Sequence, residues 1–398
     1  MVSMHTSPDA HPGSTDAGSM NVAILETALQ LAHRGVAVDL ITRSSGESGS
    51  RSVAPGVTLH TLVAGEAVAM AKGSLATVTD EFGEAVARLS RSVHYDVIHS
   101  HYWLSGLATL PVAIELGIPF VQSFHTLGVL KNEAGVPGRE PETDRRLWSE
   151  RYLATQADAI IAVSSSEAAT LIDSVGAPAE KVWVIPPGVD RSTFSPLLKK
   201  SAVSAHAFLG VATGRPILLV VGHIEPLKGQ ELAIRALAAM PSPRPILAIV
   251  GEPTPGDERY FTKLRDLVVE LDLTADVRFI GALERNEMAF FLANSTITLV
   301  PSYTETFGLV ALEAASSGTP VVAMRVGGLT EAIVDGETGV LLDTRDPQVW
   351  ASTLTDLLAD QPRRDSLGAA GRTRAEGLGW GAAATSVLGV YASLVGRP

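Results

Sequence analysis

Two glutamates eight residues apart, Glu305 and Glu313 in "ETFGLVALE", follow the apolar run "ITLVPS". The run reads as a strand, and the stretch from Phe307 onward reads as a helix. The first N–H groups of such a helix have no intrahelical partner and point at the strand's carboxyl edge, a ready site for a diphosphate. Glu313, about two turns in, is placed to accept hydrogen bonds from a ribose diol, and Glu305, before the helix, to meet the hydroxyls of a second sugar. The same spacing also suits a plain helix N-terminus with a solvated glutamate. In "VGHIEPLKG" a strand ends at Gly222 and Lys228 opens the next helix beside Gly229. An ammonium at a strand's carboxyl end suits a phosphate oxygen, although an exposed lysine would read alike.

A second group lies in the first half of the chain. "YDVIHSHYWLSG" carries His99 and His101, two apart and so on one face of a strand. No carboxylate stands at ligand spacing, and stable metal sites need three or four ligands. An aromatic and imidazole rim at the end of this strand, with Tyr102 and Trp103 over the crevice, suits the segment better. "QSFHTLGVLKN" ends a neighbouring strand with His125 and Thr126, facing the same crevice or satisfied structurally. "DRRLWSE" places Arg145 and Arg146 on a helix, with Glu150 at i+4 from Arg146. With Lys72 of "AMAKGS" they would form a pocket for a phosphomonoester, since a bidentate Arg plus a Lys matches that charge; a surface ion pair is the plainer alternative.

The elements that must position these groups alternate. "VAVDLITR", "VTLHTLV", "YDVIHSHY", "PFVQSFHT", "AIIAVSS" and "VWVIPPG" read as strands, several apolar on both faces, as parallel strands buried under helices are. After the Pro/Gly/Ser-rich "IPPGVDRSTFSPLLKK" the rhythm restarts with "PILLVVGH", "RPILAIVGE", "VRFIG", "ITLVPS", "PVVAMR" and "GVLLD". Two doubly wound α/β domains with a cleft between them follow. The expected bounds are 1–195 and 196–378, with a helix over 379–398 crossing back onto the first domain. Trp380, Leu388, Val390 and Tyr391 share its apolar register.

Composition narrows the class. The chain has 398 residues, 46% apolar and 19% charged, which suits a compact enzyme. A net charge of −12 argues against a nucleic-acid surface. The absence of cysteine excludes disulfides and thiolate chemistry. No signal-peptide pattern or bilayer-length apolar span is present, so no integral membrane segment is expected and the reading is cytoplasmic. There is no G-x-G-x-x-G after a first strand, no G-x-x-x-x-G-K-[ST] and no G-x-S-x-G, which disfavours dinucleotide, P-loop and serine-hydrolase chemistry.

Together, "ETFGLVALE", "PLKG", "SGTPVVAMRVGGLTEAIVDGETGVLL" and "IPPGVD" resemble the retaining GT4-type glycosyltransferases of GT-B fold over nearly the whole chain. Within that group, "SMHTSP", "DAGSMNV", "YDVIHSHYWLSG" and "HTLGVLKN" resemble the D-inositol-3-phosphate glycosyltransferases of mycothiol biosynthesis. The resemblance implies transfer of N-acetylglucosamine from UDP-N-acetylglucosamine to an inositol phosphate, with small molecules as partners, no cofactor and no catalytic metal; a homodimer stays open. It assigns Lys72, Tyr102, Thr126 and Arg146 to the acceptor's phosphate, and His5, Asp16, Met20 and Asn21 to the rest of the acceptor. On the donor side it implies Lys228 at the diphosphate, Glu313 at the ribose, and Glu305 and His125 at the transferred sugar. His11, Pro12, Gly18, Ser19, His223, Leu283, Phe307, Gly308 and Leu309 line the donor as well. The alternatives are a GT4 enzyme with another nucleotide sugar or phosphorylated acceptor, and a binding homologue with impaired turnover.

Three departures from the pattern carry expectations. Only Met1 and Val2 precede "SMHTSP", so the central strand of the first sheet is expected to be short, with the natural start further upstream. Ser19 stands where the family has glycine; a positive φ there would cost roughly 1 kcal/mol or more. His223 replaces an arginine beside the diphosphate, which gives donor affinity a pH dependence.

Overall fold

The computed structural model describes residues 1–10, 17–66, 68, 70, 72–197 and 205–396, with only the backbone of residue 72. Its strands are β1 (Val38–Ser44), β2 (Gly49–Ala54), β3 (Val57–Val63), β4 (Ile98–His101), β5 (Phe120–Ser123), β6 (Ala159–Ala162) and β7 (Val182–Val184) in the first half. The second half holds β8 (Ile217–Val221), β9 (Ile246–Val250), β10 (Val277–Gly281), β11 (Ile297–Val300), β12 (Val321–Met324) and β13 (Val340–Leu342).

The second sheet is wholly parallel, in the order β10-β9-β8-β11-β12-β13. Its strand order reverses beside β8, and the crevice that binds ligands in such sheets opens at that switch point. Lys228 follows β8 and Glu305 follows β11, the two central neighbours.

The first sheet forms as β2-β3-β1 and β4-β5-β6-β7, joined by the N-terminal residues. Val2 bridges in parallel to Ile41 of β1 and Ser100 of β4. Its N–H donates to His99 O (2.8 Å), and its carbonyl accepts from His101 N (2.9 Å). On the other side Ile41 N donates to Met1 O and Ser3 N to Ile41 O, both at 2.9 Å. The short central strand expected from the sequence thus keeps its ladder bonds on both sides. The polar β2, "GSRSVA", pairs antiparallel with β3 at the sheet edge and was not among the expected strands.

Helices cover both sheets. An apolar cluster runs through both halves, from Ile24, Leu31 and Leu40 through Phe194 and Leu219 to Leu312 and Trp380. The helix Trp380–Val395 packs on the helix Ser19–Ala32, with Val387 and Val390 buried between them. Arg34 ties the pair by donating to Gly381 O (2.7 Å) and Thr385 Oγ1 (3.2 Å). The chain enters this helix so close to Gly188 that a Cβ there would lie 2.1 Å from Trp380 N. Gly188→Ala is therefore expected to cost about 1–3 kcal/mol by overpacking, read as a lower denaturant midpoint; an unchanged midpoint would show that the crossing gives way freely.

Candidate active site

After β8 the chain passes Gly222 and His223 and makes one 3₁₀ turn, Pro226–Lys228. The helix begins only at Gln230, so Lys228 lies ahead of it rather than opening it. Gly229 between them has φ +70°, and a Cβ there would sit 2.1 Å from Pro301 O. That close approach brings Lys228 onto the loop after β11, where its Nζ donates to Glu305 Oε1 at 2.7 Å. Ser302 Oγ donates to the same oxygen at 2.9 Å. Burial lowers the affinity of the Lys228 ammonium for its proton, but Glu305 and Glu225 outweigh it and hold the pKa above the usual value. Arg345 braces the loop: it donates to Pro301 O at 2.8 Å and lies 3.5 Å above the Tyr303 ring.

The next helix starts later than Phe307. Gly308, with φ +88°, caps the helix Leu309–Ser316, and Phe307 is buried beneath the wall of the cleft. Glu313 sits on this helix at the cleft with only 2% exposure. Burial pushes its carboxyl up to about 7, against the pull of Arg285 at 3.6 Å and with added repulsion from Glu26. Arg285 also reaches Glu26 in the first half, at 3.7 Å.

The facing wall carries two non-glycine residues in the left-handed region, Tyr102 (φ 73°) and His125 (φ 60°), at the ends of β4 and β5. Such strain costs of order 1–3 kcal/mol each and persists only where the surroundings impose it. Tyr102 N donates to Ser123 O at 2.8 Å, and Gln122 Nε2 to Tyr102 O at 3.3 Å. Imidazoles line up behind: His125 Nε2 lies 2.9 Å from His101 Nδ1, and the His101 and His99 rings are 4.1 Å apart. His99 continues to Ser123 Oγ (2.9 Å) and to Tyr391 Oη of the C-terminal helix (2.6 Å). Burial lowers the His125 pKa to about 4 and takes the other two well below their usual value, so all three are neutral at pH 7. His99 and His101 are thus buried supports rather than part of the rim, which Tyr102 and Trp103 form.

Arg146 lies beside this strained corner with 3% of its side chain exposed. Its Nε donates to Glu150 Oε1 at 2.7 Å, and its Nη2 to Thr126 O and Oγ1, both at 3.1 Å. Its guanidinium stands 5.2 Å from the Tyr102 ring centre, and the His5 and Tyr102 ring centres are 4.4 Å apart. The Arg146–Glu150 pair is a buried one, not a surface pair.

Both walls belong to one cleft of about 1170 Å³. From the first half His5, Gly18, Ser19, Met20, Tyr102, His125, Thr126 and Arg146 face it. From the second half come His223, Lys228, Leu283, Glu305, Gly308, Leu309 and Glu313. Asn21 is off the wall with 1% exposure: its amide donates to Thr6 Oγ1 (3.0 Å) and Ser7 O (2.6 Å), and its Oδ1 accepts from Gly18 N (3.0 Å). It shapes the loop instead of facing a ligand. Ser19 is the first residue of a helix, so the positive-φ penalty does not arise. A Cβ on Gly18 would meet His223 Cε1 at 3.2 Å, so a larger residue there would press on that imidazole. His11, Pro12, Asp16 and the Lys72 side chain lie outside the described residues.

The halves also touch directly. Thr306 Oγ1 donates to His125 O (3.0 Å), and Ser164 Oγ donates to Thr306 O (2.7 Å). Glu331 accepts from the N–H groups of Ser165 and Ser166, both at 3.0 Å.

Two family models match the chain: Glycosyltransferase Family 4 over residues 20–193 and Glycosyl transferases group 1 over 204–374. The D-inositol 3-phosphate glycosyltransferase of Kineococcus radiotolerans is 41% identical, over 98% of this chain and 94% of its own. That of Stackebrandtia nassauensis is 39% identical, over 100% of this chain and 91% of its own. The chain belongs to the GT4-type glycosyltransferases. Among solved structures, the sucrose-phosphate synthase of Thermosynechococcus elongatus superposes with a TM-score of 0.91 at 30% identity, covering 99% of this chain and 98% of that one. Anabaena HepE in complex with UDP and glucose gives 0.78 at 21% identity, over 96% and 98%, a likeness of fold. The fold of this glycosyltransferase is GT-B.

Sequence reading missed Arg285, which joins Glu313 to Glu26; its only signal was a cation shortly after β10 in "GALERNEM". It also missed the charges Lys131, Arg139 and Glu142 that line the cleft beside Arg146. No helix among the described residues is long and apolar enough to cross a membrane. Because Glu313 holds its proton up to about 7 when folded, well above the ordinary glutamate range, the folded enzyme binds more protons than the unfolded chain between that range and pH 7. Its contribution to stability is full below that window and is lost as pH rises through 7. Glu167, also raised to about 7 by burial, acts in the same direction. Glu313→Gln is expected to flatten the fall in stability between pH 5 and about 7.5, measured by urea denaturation at fixed pH steps; an unaltered slope would assign the whole effect to other groups.

Proposed function

We propose that this glycosyltransferase moves N-acetylglucosamine from UDP-N-acetylglucosamine to 1D-myo-inositol 3-phosphate with retention at the anomeric carbon, a step of mycothiol biosynthesis. The observation that carries the proposal is one cleft with a buried arginine–threonine–tyrosine corner on one wall and Lys228, Glu305 and Glu313 on the other. The relatives named for D-inositol 3-phosphate supply the acceptor, and the HepE complex with UDP and glucose suggests the nucleotide.

In this reading Glu313 accepts from the ribose diol and the N-terminus of the Leu309–Ser316 helix receives the diphosphate. Lys228 neutralises the charge that grows on the departing UDP, and no metal is required because the chain supplies that charge itself. Glu305 and neutral His125 hold the hydroxyls of the transferred sugar. The acceptor hydroxyl attacks the anomeric carbon on the face from which UDP leaves. The bond from that carbon to the phosphate oxygen breaks, its electron pair stays on the phosphate, and the same phosphate oxygen takes the acceptor's proton. Tyr102, Thr126, Arg146 and Lys72 hold the acceptor's phosphate, and closure of the two halves keeps water away from the donor. Sucrose-phosphate synthase, at 30% identity, favours a second reading in which the acceptor is a sugar phosphate.

Incubation with UDP-N-acetylglucosamine and inositol 3-phosphate is expected to yield a glycosylated inositol phosphate by mass spectrometry. Glu305→Gln should lower kcat/KM by about 10²–10³, and Arg146→Met should act mainly by raising the acceptor KM. Product formed at the unaltered rate in both variants would overturn these assignments. Faster transfer to a hexose phosphate would favour the second reading.

A further inference from the structure

The guanidinium of Arg146 has little left to offer a ligand. Its Nε is committed to Glu150, which is 2% exposed and also accepts from Gly128 N at 2.8 Å. Its Nη2 is held by the Thr126 carbonyl and hydroxyl. The remaining nitrogen, Nη1, lies 3.1 Å from Glu142 Oε2. The other oxygen of that carboxylate, Oε1, lies 3.2 Å from Arg139 Nη2 and 3.7 Å from Lys131 Nζ. Three cations from three segments therefore converge on one carboxylate, and all four side chains line the cleft. Glu142 precedes the helix Asp144–Gln156, and its side chain is 19% exposed against 3% for Arg146. Of the groups around Arg146 it is the one best placed to move.

Taking the reading that Arg146 binds the acceptor's phosphate, we propose that Glu142 is a resident anion in that phosphate's place, displaced by a phosphomonoester dianion and so selecting phosphorylated acceptors. Three cations this close repel one another unless an anion sits among them, and the carboxylate supplies that charge while the site is vacant. A phosphate dianion carries more charge and more acceptor oxygens than a carboxylate, and so exchanges for it. A neutral polyol gains nothing from Arg146 that would offset breaking the ion pairs, and is rejected.

The test is calorimetric titration of the full chain with inorganic phosphate, which needs no turnover. Glu142→Gln keeps the size and removes the charge, and is expected to bind phosphate about fivefold or more tightly than the natural chain; Glu142→Ala should do the same, should the glutamine variant fold poorly. Glu115→Gln is the control for a general change of charge, because Glu115 pairs with Arg91 at 2.6 Å and neither residue lines the cleft. It should stay within about twofold of the natural chain, and Arg146→Met should lose binding. Unchanged or weaker binding in both Glu142 variants, an equal gain in Glu115→Gln, or no phosphate binding in any form would overturn the proposal. Tighter binding in the Glu142 variants of a protein that does not glycosylate inositol 3-phosphate would leave the exchange standing and remove the acceptor assignment.

Discussion

Lys228 and Glu305 meet at 2.7 Å between loops that leave neighbouring strands of the same sheet, and the geometry of the cleft hangs on that contact. Neither loop would hold its place alone. The Lys228 turn reaches the Glu305 loop only because Gly229 lets the backbone pass against Pro301 O. Arg345, stacked on Tyr303, also donates to the Pro301 carbonyl. One residue further along, Thr306 bonds to the first half through His125 O and Ser164 Oγ. The ion pair, the brace and the contact between halves thus sit on a segment of six residues. Removing either charge would leave the other half-buried without its partner, a larger loss than the pair contributes in place.

On the opposite wall the organising constraint is backbone strain held by buried polar groups. Tyr102 and His125 leave their strands with positive φ, which turns both side chains toward the cleft. The cost is offset by the bonds that grip the corner: Tyr102 N to Ser123 O, Gln122 to Tyr102 O, and His101 to His125. The buried imidazoles suit this duty because burial keeps them neutral. A charged one would repel its neighbours along the same line and would need a counter-ion. Tyr391 carries that line out to the C-terminal helix, so the helix packed on Ser19–Ala32 also supports the corner.

Much of the fold was legible in the sequence because its strands are apolar on both faces and separated by helical periods. β2 was not, since "GSRSVA" is a polar edge strand whose only signal is its pairing with β3. The eight-residue interval between Glu305 and Glu313 placed both on the cleft, although the helix begins at Leu309 and not at Phe307. Contacts across the cleft were out of reach: Thr306 and His125 are 181 residues apart, and no local pattern encodes their meeting. The amide of Asn21 was misjudged for a related reason. Its residue type marks a polar function, but only the folded loop shows that Thr6, Ser7 and Gly18 consume it.

A chain of net charge −12 that is proposed to bind two phosphorylated substrates must keep cations in its cleft without letting them repel one another. Several cations there are stored against internal carboxylates, while Arg43 and Arg145 are held by backbone carbonyls. Lys228 is held by Glu305, Arg285 by Glu313 and Glu26, and Arg146 by Glu142 and Glu150. Storage of this kind makes ligand binding an exchange of partners rather than a simple addition of charge. An arriving phosphate must take a cation from a carboxylate already in place, and net affinity is the difference between the two pairings. The carboxylates freed in the exchange are not wasted. Glu305 and Glu313 face the cleft, where hydroxyl groups of a sugar or a ribose can satisfy them. A ligand that carries both phosphate and hydroxyls at the right separation satisfies both members of each broken pair, and a ligand with only one kind of group leaves a buried charge alone. Under the proposed function, selectivity for polyhydroxylated phosphates follows from the pairing itself.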